Sequence, residues 1–354
     1  MLWPTKKLGE VLEYEQPTKY LVSSTDYKDE YLIPVLTAGK SFILGNTNEK
    51  SGIFPKEKLP VIIFDDFTTA IKFVDFPFKV KSSAMKILHA KKDKADIRFL
   101  FYKMLTIKFQ HDQHKRYWIS ECSNLKIPLP PFEIQKQIVE RLDKIAEARK
   151  LNDELIQKTD ELFQSLLHSL IRANSGMVKK LGEIAEIIMG QSPPSSTYNE
   201  RGEGLPFFQG KAEFGEMYPT AVKYCSRPTR IAEAGDILMS VRAPVGNINL
   251  AKEKSGIGRG LGAIRAGKGV DQLFLYFFFL KNENNWSRLS VGSTFLAIRR
   301  NNLDNLEIPL PPLQTQKQIV SKLSAVQDYK TQLLAQKSKL KELFDSALHK
   351  SMQN

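Results

Sequence analysis

The pattern of apolar and polar positions divides the chain into two long regular stretches and two irregular ones. Apolar residues recur every three or four positions after Pro131 and again after Pro312, and no helix-breaking residue interrupts either stretch for about 40 residues. Each stretch therefore predicts a helix of about 60 Å. A Pro-Pro pair leads into each helix, because proline is tolerated in a first helical turn but not inside a helix.

The apolar positions of each helix form one face, which predicts a partner helix. The face consists of Ile138, Leu142, Ile145, Leu162 and Phe163 in the first helix and of Ile319, Leu323, Val326, Leu343 and Phe344 in the second. Long helices need a partner in water, and two of equal length suit an antiparallel coiled coil. Four polar residues interrupt the faces: Arg149, Asn152, Lys330 and Lys337. The alternative is that each helix packs only on its own domain.

The two helical stretches are copies of one sequence. LKIPLPPFEIQKQIV begins at Leu125 and LEIPLPPLQTQKQIV begins at Leu306, and the match continues without a gap to the segments ELFQSLLH and ELFDSALH. A second repeated segment, KKLGE, begins at Lys6 and at Lys179. Repetition of this kind indicates one structural unit used twice. The chain therefore alternates two divergent domains with two similar helices.

The divergent domains predict mixed α and β structure. Val-, Ile- and Phe-rich segments predict strands at 31–36, 59–64, 205–209 and 236–241, and helices are predicted at 98–105 and 272–280. The fold class is therefore α+β: two α/β domains, separated by two long antiparallel helices that form a coiled coil, with an internal pseudo-twofold repeat. The predicted boundaries are 1–126 and 176–307 for the divergent domains, and 127–175 and 308–354 for the helical regions.

Charge and composition restrict the partners. The formal net charge is +13, and a chain this basic most often binds a polyanion. Two cysteines without a CxxC spacing predict neither a disulfide framework nor a zinc ribbon. The N-terminus lacks the plan of a signal peptide, and the longest apolar run, 273–280, is too short to cross a membrane. We therefore expect a cytoplasmic protein with no membrane partner.

No complete catalytic motif is present in the sequence. The GKS at 39–41 ends like a phosphate-binding loop, but Pro34 stands where that loop needs a glycine. The GIGRG at 256–260 does not follow a buried-strand pattern, which favours a turn over a nucleotide-binding fold. The HDQH at 111–114 is at most half a metal site. Asp65 and Asp66 could suggest a metal site, but no nuclease motif surrounds them, and we expect both to lie on the surface.

Basic and amide side chains are spread through the loops of both divergent domains. Lys and Arg contact DNA phosphates, and Arg, Lys, Asn and Gln read base edges. The candidate DNA-binding residues are Lys40, Ser41, Asn46, Lys50, Lys79, Lys81, His114 and Arg116 in the first domain, and Gln191, Lys211, Arg242, Arg259, Arg299 and Arg300 in the second. For any single residue the alternative is a solvated surface charge, so the prediction depends on the whole set.

Two divergent domains that alternate with two helices, each begun by I-P-L-P-P-x-x-x-Q-x-x-I, strongly resemble the DNA specificity subunit of type I restriction-modification systems. The motif occupies 127–138 and 308–319. The resemblance implies a subunit without catalytic activity or a cofactor of its own. It implies that each domain reads one half of a bipartite site in double-stranded DNA. It further implies that the coiled coil sets the spacer and docks two methyltransferase subunits, and that motor-nuclease subunits join for restriction.

Three other functions are weighed against this one. An enzyme, either a nuclease or a methyltransferase, is disfavoured by the failed motifs. A coiled-coil adaptor that binds no DNA is disfavoured by the positive charge. The specificity subunit of a related system, in which one fused partner both methylates and cleaves, is equally compatible with the sequence.

The resemblance predicts that helix length sets the spacing of the two half-sites. Four residues inserted into each helix add about 6 Å, close to two base-pair steps of about 3.4 Å. We expect the unread spacer of the methylated DNA site to grow by about two base pairs, as measured by mapping methyladenine. An unchanged spacer would show that helix length does not control it.

Overall fold

The computed structural model describes residues 3–37, 42–91, 94–108, 116–173, 176–283, 285–286 and 297–353. The chain forms two compact units: unit 1 consists of Met1–Asp153 with Ala335–Asn354, and unit 2 consists of Glu154–Leu334. Both unit boundaries fall inside the long helices. Each unit therefore combines one divergent domain, the first half of the long helix that follows it, and the last half of the other long helix.

Unit 1 contains a four-stranded and a three-stranded sheet. Its elements up to the first long helix are β1 (Thr5–Lys7), α1 (Leu8–Val11), β2 (Leu12–Glu15), β3 (Ile33–Leu36), β4 (Ile43–Thr47), β5 (Val61–Asp65), β6 (Ile71–Val74), β7 (Lys79–Val80), β8 (Met85–Ala90), α2 (Ile97–Leu105), α3 (Tyr117–Ser120), β9 (Lys126–Pro128) and the long α4 (Phe132–Ala173). The strand orders are β2-β8-β5-β6, all antiparallel, and β4-β3-β7, in which β3 and β7 are parallel. A separate pair joins β1 to β9.

Unit 2 contains a four-stranded and a five-stranded sheet. The elements after α4 are β10 (Met177–Lys180), α5 (Leu181–Ile184), β11 (Ala185–Met189), β12 (Tyr198–Asn199), β13 (Leu205–Phe208), β14 (Tyr224–Cys225), β15 (Ile231–Ala232), β16 (Ile237–Ser240), β17 (Ile248–Leu250), β18 (Ser255–Ile257), β19 (Leu261–Ala266), α6 (Gln272–Lys281), α7 (Arg300–Asp304), β20 (Glu307–Leu310) and the long α8 (Leu313–Met352). The strand orders are β11-β19-β16-β17 and β12-β14-β13-β18-β15. A separate pair joins β10 to β20.

The two units repeat one fold. The order β2-β8-β5-β6 corresponds to β11-β19-β16-β17, and the parallel pair β3–β7 corresponds to β13–β18. The mixed α and β structure and the internal repeat are therefore confirmed. The predicted strands agree with β3, β5, β13 and β16, and the predicted helices agree with α2 and α6.

The apolar run of the second domain forms α6, which is buried in the core of unit 2. All six side chains from Phe274 to Phe279 are at most 7% exposed. The carboxylate of Asp271 accepts hydrogen bonds from the backbone N–H groups of Leu273 and Phe274, so it caps the first turn. None of the described helices combines the length and the apolar character that a membrane crossing requires.

The two repeated motifs lie side by side in each unit. The two lysines that begin each KKLGE segment belong to β1 and β10. These strands pair with β9 and β20, which contain the Ile-Pro of the I-P-L-P segments. The backbone N–H of Leu8 donates to the carbonyl oxygen of Leu125 (2.9 Å), and that of Leu181 donates to Leu306 (2.8 Å). Both leucine side chains are fully buried. The repeated motifs therefore close each divergent domain where its chain enters and leaves.

In unit 1 the motif glutamine, Gln135, joins the start of α4 to the domain. It is 1% exposed. Its Oε1 accepts a hydrogen bond from the backbone N–H of Asp96 (2.8 Å), and its Nε2 donates to the carbonyl oxygen of Pro130 (2.8 Å). Asp96 is the N-cap of α2. One buried amide therefore connects three segments: the Pro-Pro pair that precedes α4, α4 itself and α2.

In unit 2 the second motif glutamine, Gln316, makes the same contacts and is also 1% exposed. Its Oε1 accepts from the backbone N–H of Asp271 (2.7 Å), which caps α6, and its Nε2 donates to the carbonyl oxygen of Pro311 (2.8 Å). The spacing P-P-x-x-x-Q is thereby explained, because it places the amide one helical turn after the prolines, facing the domain.

The long helices contact each other in antiparallel order inside each unit. In unit 1 the guanidinium of Arg149 lies 5.0 Å from the ring centre of Phe344, and Asp153 forms an ion pair with Lys337 (2.9 Å). In unit 2 Asp160 forms an ion pair with Lys330 (2.8 Å). Three of the four residues that interrupt the predicted apolar faces are therefore contact residues.

The predicted apolar faces are partly wrong in phase. Leu162 and Leu343, which occupy the same position of the repeated sequence, are 50% and 52% exposed. The neighbouring Phe163 and Phe344, which the predicted faces also contain, are buried, as are Leu142 and Leu323. A leucine on the outer side of a helix adds to the same periodic pattern as one on the inner side, so the period alone does not separate them.

Replacing Gln135 with Ala should destabilise unit 1 by about 2 kcal/mol, because two buried hydrogen bonds are lost and their partners are left unsatisfied. The measurement is urea unfolding of the purified chain. Gln137→Ala is the matched control, since Gln137 is exposed on the same helix. Equal stability of the two variants would contradict the assigned role of Gln135.

Candidate nucleic-acid interface

In unit 2 the C-terminal ends of three strands surround one cleft. Gln209 follows β13, Arg242 follows β16 and Arg259 follows β18, and all three line the cleft. Its volume is about 300 Å³. The other described side chains in its lining are Ser192, Lys211, Ser240 and Ala243. Residues that are far apart in sequence are thus brought together where the five-stranded sheet (β13, β18) and the four-stranded sheet (β16) meet at the cleft.

Glycines allow the strand ends to approach this closely. A Cβ atom on Gly260 would lie 2.1 Å from the carbonyl oxygen of Gln209, and one on Gly190 would lie 2.1 Å from that of Gly258. The prediction of a simple turn at 256–260 needs correction, because Gly256 and Ile257 belong to the buried strand β18. The turn begins after them and exposes the side chain of Arg259.

The cleft presents three cations that have no ion-pair partner among the described residues. Lys211, Arg242 and Arg259 are exposed, and none of the three forms an ion pair with another described residue. No carboxylate is among the described residues of the lining. Such donors are available to an external acceptor, and phosphate and base-edge oxygens are acceptors of this kind.

Arg265 of β19, the strand next to β16 in the four-stranded sheet, shows the contrasting case. Its Nε and one terminal nitrogen donate to the two carboxylate oxygens of Asp236 at 2.9 and 2.7 Å. The hydrogen bond to Asp236 is the main reason why the pKa of Arg265 is raised above its ordinary value. A further nitrogen donates to Glu186 (3.1 Å), so Arg265 is paired inside the protein, unlike the three cations of the cleft.

The remaining candidates of unit 2 lie outside the cleft lining. Gln191 is exposed next to Ser192, and its backbone N–H donates to the carbonyl oxygen of Ile257 (3.1 Å). Arg299 caps the start of α7, where Arg300 forms an exposed ion pair with Asp304 (3.4 Å). Gln191 adjoins the cleft, whereas the two arginines of α7 are not among its lining residues.

The equivalent edge of unit 1 lies at the ends of β3, β5 and β7. The backbone N–H of Lys81, after β7, donates to the carbonyl oxygen of Leu36 (2.8 Å), as Gly258 does to Phe208 in unit 2 (2.8 Å). Lys81 is exposed, and its ammonium lies 5.9 Å from the ring centre of Tyr27. Lys81 is therefore placed at the unit 1 counterpart of the cleft.

Arg116 lies at the same edge of unit 1. It is exposed and immediately precedes Tyr117, whose backbone N–H donates to the carbonyl oxygen of Asp66 at the end of β5 (3.0 Å). Of the other candidates, Asn46 is half-buried in β4 and Lys50 is exposed in the following loop. Lys40, Ser41 and His114 lie outside the described residues.

Asp65 and Asp66 are not surface acids, contrary to the expectation. They are 4% and 1% exposed. Asp65 accepts hydrogen bonds from the backbone N–H groups of Phe67 and Thr68, whereas Asp66 accepts from that of Trp118 and forms an ion pair with the buried Lys86 (3.4 Å). Across the described part of the chain, no group of three or more His, Cys, Asp or Glu side chains is arranged to hold a metal ion.

Lys79 is a structural residue and not a surface cation. It is 3% exposed, and its ammonium contacts a carboxylate oxygen of Glu49 (2.7 Å) and the carbonyl oxygen of Ser51 (2.7 Å). The hydrogen bond from Lys79, together with the backbone N–H of Ser24, lowers the pKa of Glu49. A lysine buried in this way does not reach a DNA phosphate, so we leave Lys79 out of the interface.

Comparison with known proteins assigns the family. Residues 2–159 and 175–342 both match the family described as type I restriction modification DNA specificity domain. The chain belongs to this family. The two matches cover most of both divergent domains and of both long helices, in agreement with the repeated fold.

Individual specificity subunits are similar over much of the chain. The EcoR124I/EcoR124II specificity subunit of Escherichia coli is 35% identical over 88% of this chain and 84% of its own length. The putative MjaX specificity subunit of Methanocaldococcus jannaschii is 40% identical over 66% of this chain, and the alignment spans only 59% of that relative. The crystal structure of the HsdS subunit from Thermoanaerobacter tengcongensis has 30% identity and a TM-score of 0.54, with 99% and 97% of the two chains covered.

One further structure supports the fold alone. The S subunit from M. genitalium has a TM-score of 0.69 at 16% identity, and 99% of this chain and 96% of that chain are covered.

Membership of the specificity family confirms the resemblance drawn from the sequence, and specificity subunits are non-catalytic components of restriction-modification complexes. The enzyme and adaptor alternatives are not favoured.

Lys79 and Lys81 should behave oppositely in this specificity-family protein. Lys79→Met should lower the thermal midpoint by about 2–4 °C and leave the salt dependence of DNA binding unchanged. Because the pKa of Glu49 lies below its ordinary 4.5, the stability from this ion pair is present above pH 4.5 and is lost as the pH falls through the lowered value.

Lys81→Ala should leave the midpoint unchanged and reduce the slope of log affinity against log salt by about 1. A reduced slope for Lys79→Met would contradict its structural role.

Proposed function

We propose that this chain recognises a bipartite DNA site, one half through each divergent domain, and that it does so as the specificity subunit of a methyltransferase complex. The cleft of unit 2 carries this proposal, because it unites Lys211, Arg242 and Arg259 without a described carboxylate. The corresponding edge of unit 1 bears Lys81, which follows β7, and Arg116, which precedes α3. In this proposal residues 1–126 and 176–307 are the recognition domains.

The arrangement suits DNA because it separates two kinds of contact. Exposed lysines such as Lys50 and Lys211 neutralise phosphates, which supplies affinity without sequence preference. Arg242 and Arg259, on short turns that follow buried strands, present donors of defined position, which base recognition requires. Gln209 adds an amide that both donates and accepts hydrogen bonds. The net charge of +13 attracts the negatively charged duplex to the protein before specific contacts form.

The partners in this proposal are two methyltransferase subunits, which dock on the long helices. Leu162 and Leu343 support two equal docking positions, because they share one position of the repeat and are exposed to almost the same degree, 50% and 52%. A duplicated apolar position suits two copies of the same partner. The helix pair acts as a coiled-coil spacer in this proposal, and motor-nuclease subunits join for restriction.

The type I assignment also has support from the relatives. The similar chain from E. coli is named as the specificity subunit of a type I restriction enzyme. A solved structure that is 31% identical to this chain, with a TM-score of 0.63, is described as showing complex assembly of the type I restriction-modification system. The alternative with a fused methyltransferase-nuclease partner has no comparable support.

The test is to coexpress the chain with the methyltransferase encoded beside it and to map methyladenine in the host DNA. We expect a stable complex and a split motif with methyladenine in both halves. If a stable complex forms but the methylated motif is continuous, the bipartite proposal is wrong. If no complex forms and no motif is methylated, the specificity proposal for this chain fails.

Leu162→Asp and Leu343→Asp should each remove one methyltransferase subunit, because a carboxylate in an apolar contact loses its hydration. The double variant should bind none. Native mass spectrometry of the purified complex gives the stoichiometry. Leu162→Met and Leu343→Met are matched controls that keep an apolar side chain and should retain both subunits. An unchanged stoichiometry in the double aspartate variant would exclude these leucines from the docking surface.

A further inference from the structure

Phe67 and Arg242 occupy the same position in the two units. The strand pairs align Asp65 with Met85 in unit 1 and Ser240 with Leu261 in unit 2, at the corresponding ends of β5–β8 and β16–β19. Two residues beyond Asp65 is Phe67, and two residues beyond Ser240 is Arg242. The equivalence follows from strand register alone.

Backbone hydrogen bonds around these positions confirm the register. The N–H of Asp66 donates to the carbonyl oxygen of Ala84 (3.2 Å), and the N–H of Val241 donates to that of Gly260 (2.9 Å). On the other side, the carbonyl oxygen of Asp66 accepts from Tyr117, and that of Val241 accepts from Ile298 (2.9 Å). Asp66 and Val241, which precede Phe67 and Arg242, therefore have matching partners in both units.

Both side chains are presented from turns that the protein holds in place. In unit 1 the carboxylate of Asp65 accepts hydrogen bonds from the backbone N–H groups of Phe67 (2.9 Å) and Thr68 (2.6 Å). In unit 2 the hydroxyl of the buried Ser240 lies within hydrogen-bond distance of the carbonyl oxygens of Arg242 (3.0 Å) and Pro244 (2.7 Å). Phe67 is nevertheless 48% exposed, and Arg242 is exposed at the cleft.

The two side chains suit different base pairs. Arginine donates two hydrogen bonds to O6 and N7 of guanine, whereas phenylalanine makes apolar contact with the C5-methyl group of thymine. An aromatic ring that is half exposed at the edge that also bears Lys81 and Arg116 has little other use against DNA, because it neither neutralises phosphate nor donates a hydrogen bond.

We propose that this shared position discriminates one base pair in each half-site: Arg242 reads the guanine of a G·C pair, and Phe67 reads the thymine of an A·T pair. The inference deepens the proposed function and depends on it. The repeated fold supplies one discriminating position twice, and its side chain sets the base pair that is preferred there.

The test is methyladenine mapping with the coexpressed complex of wild-type and variant chains, together with competition binding of duplexes that differ at one base pair. Arg242→Ala should relax one G·C position of one half-site, with roughly 5- to 150-fold loss of discrimination, and leave the other half-site unchanged. Phe67→Ser should relax one A·T position of the other half-site. Phe67→Leu keeps an apolar contact and should retain the preference. Arg227→Ala, an exposed arginine outside the cleft lining, is the control.

The outcomes separate this inference from the proposed function. If the wild-type complex methylates a split motif but Arg242→Ala or Phe67→Ser weakens binding to all duplexes equally, the residue contacts only the backbone and the inference is wrong. If a variant relaxes a base pair of the opposite type, the assignment of bases is wrong. If the wild-type complex methylates no split motif, the proposed function fails and the inference fails with it. Thermal midpoints of all variants exclude loss of folding as the cause.

Discussion

The rest of the structure depends on one buried amide in each unit. Gln135 and Gln316 each lie where three segments meet in the described part of a unit. These are the Pro-Pro pair before the long helix, the long helix itself, and the N-cap residue of a domain helix. Both hydrogen-bonding ends of the amide are used, so burial costs little, whereas any shorter or apolar residue would leave a peptide group unsatisfied. The amide therefore fixes how each domain joins its long helix, and this constraint explains why the I-P-L-P-P-x-x-x-Q motif occurs twice.

A fixed junction leaves the far ends of the strands free to differ. The strand orders of the two four-stranded sheets are the same, and the backbone hydrogen bonds beside Phe67 and Arg242 correspond one to one. Side chains at these ends contribute little to the core, so exchange of an aromatic ring for a guanidinium changes the surface chemistry without a change in register. The fold thus separates the residues that hold the domain together from the residues that select a ligand.

The sequence predicts the long helices, the repeat and the mixed domains, because each depends on a local or repeated pattern. Among the residues that line the cleft of unit 2, its candidates are Lys211, Arg242 and Arg259. It failed where a long-range contact decides. The sequence groups Lys79 with Lys81, because β7 has only two residues and nothing in the sequence shows that Glu49 lies beside Lys79. Leu162 and Leu343 were placed in the apolar face, because periodicity does not distinguish an inner from an outer leucine. Asp65 and Asp66 were expected at the surface, since their backbone donors come from a turn and from Trp118, distant in sequence.

The polar interruptions of the helices show how the two units differ despite their common junction. In unit 2 Lys330 of α8 contacts both Asp160 of α4 and Glu216 of the domain, and although burial alone would lower its pKa, these carboxylates raise it. In unit 1 the domain is tied to α4 by Asp143, which accepts from Arg98 (2.7 Å) and from the hydroxyl of Tyr102; burial and this bond raise the pKa of Tyr102 to about 12. The repeat mate of Asp143 is Ser324, and that of Lys330 is Arg149, and neither set of contacts recurs among the described residues of the other unit. The two domains therefore share the glutamine junction but contact the long helices through different side chains, so the contacts beside the junction vary while the junction itself does not.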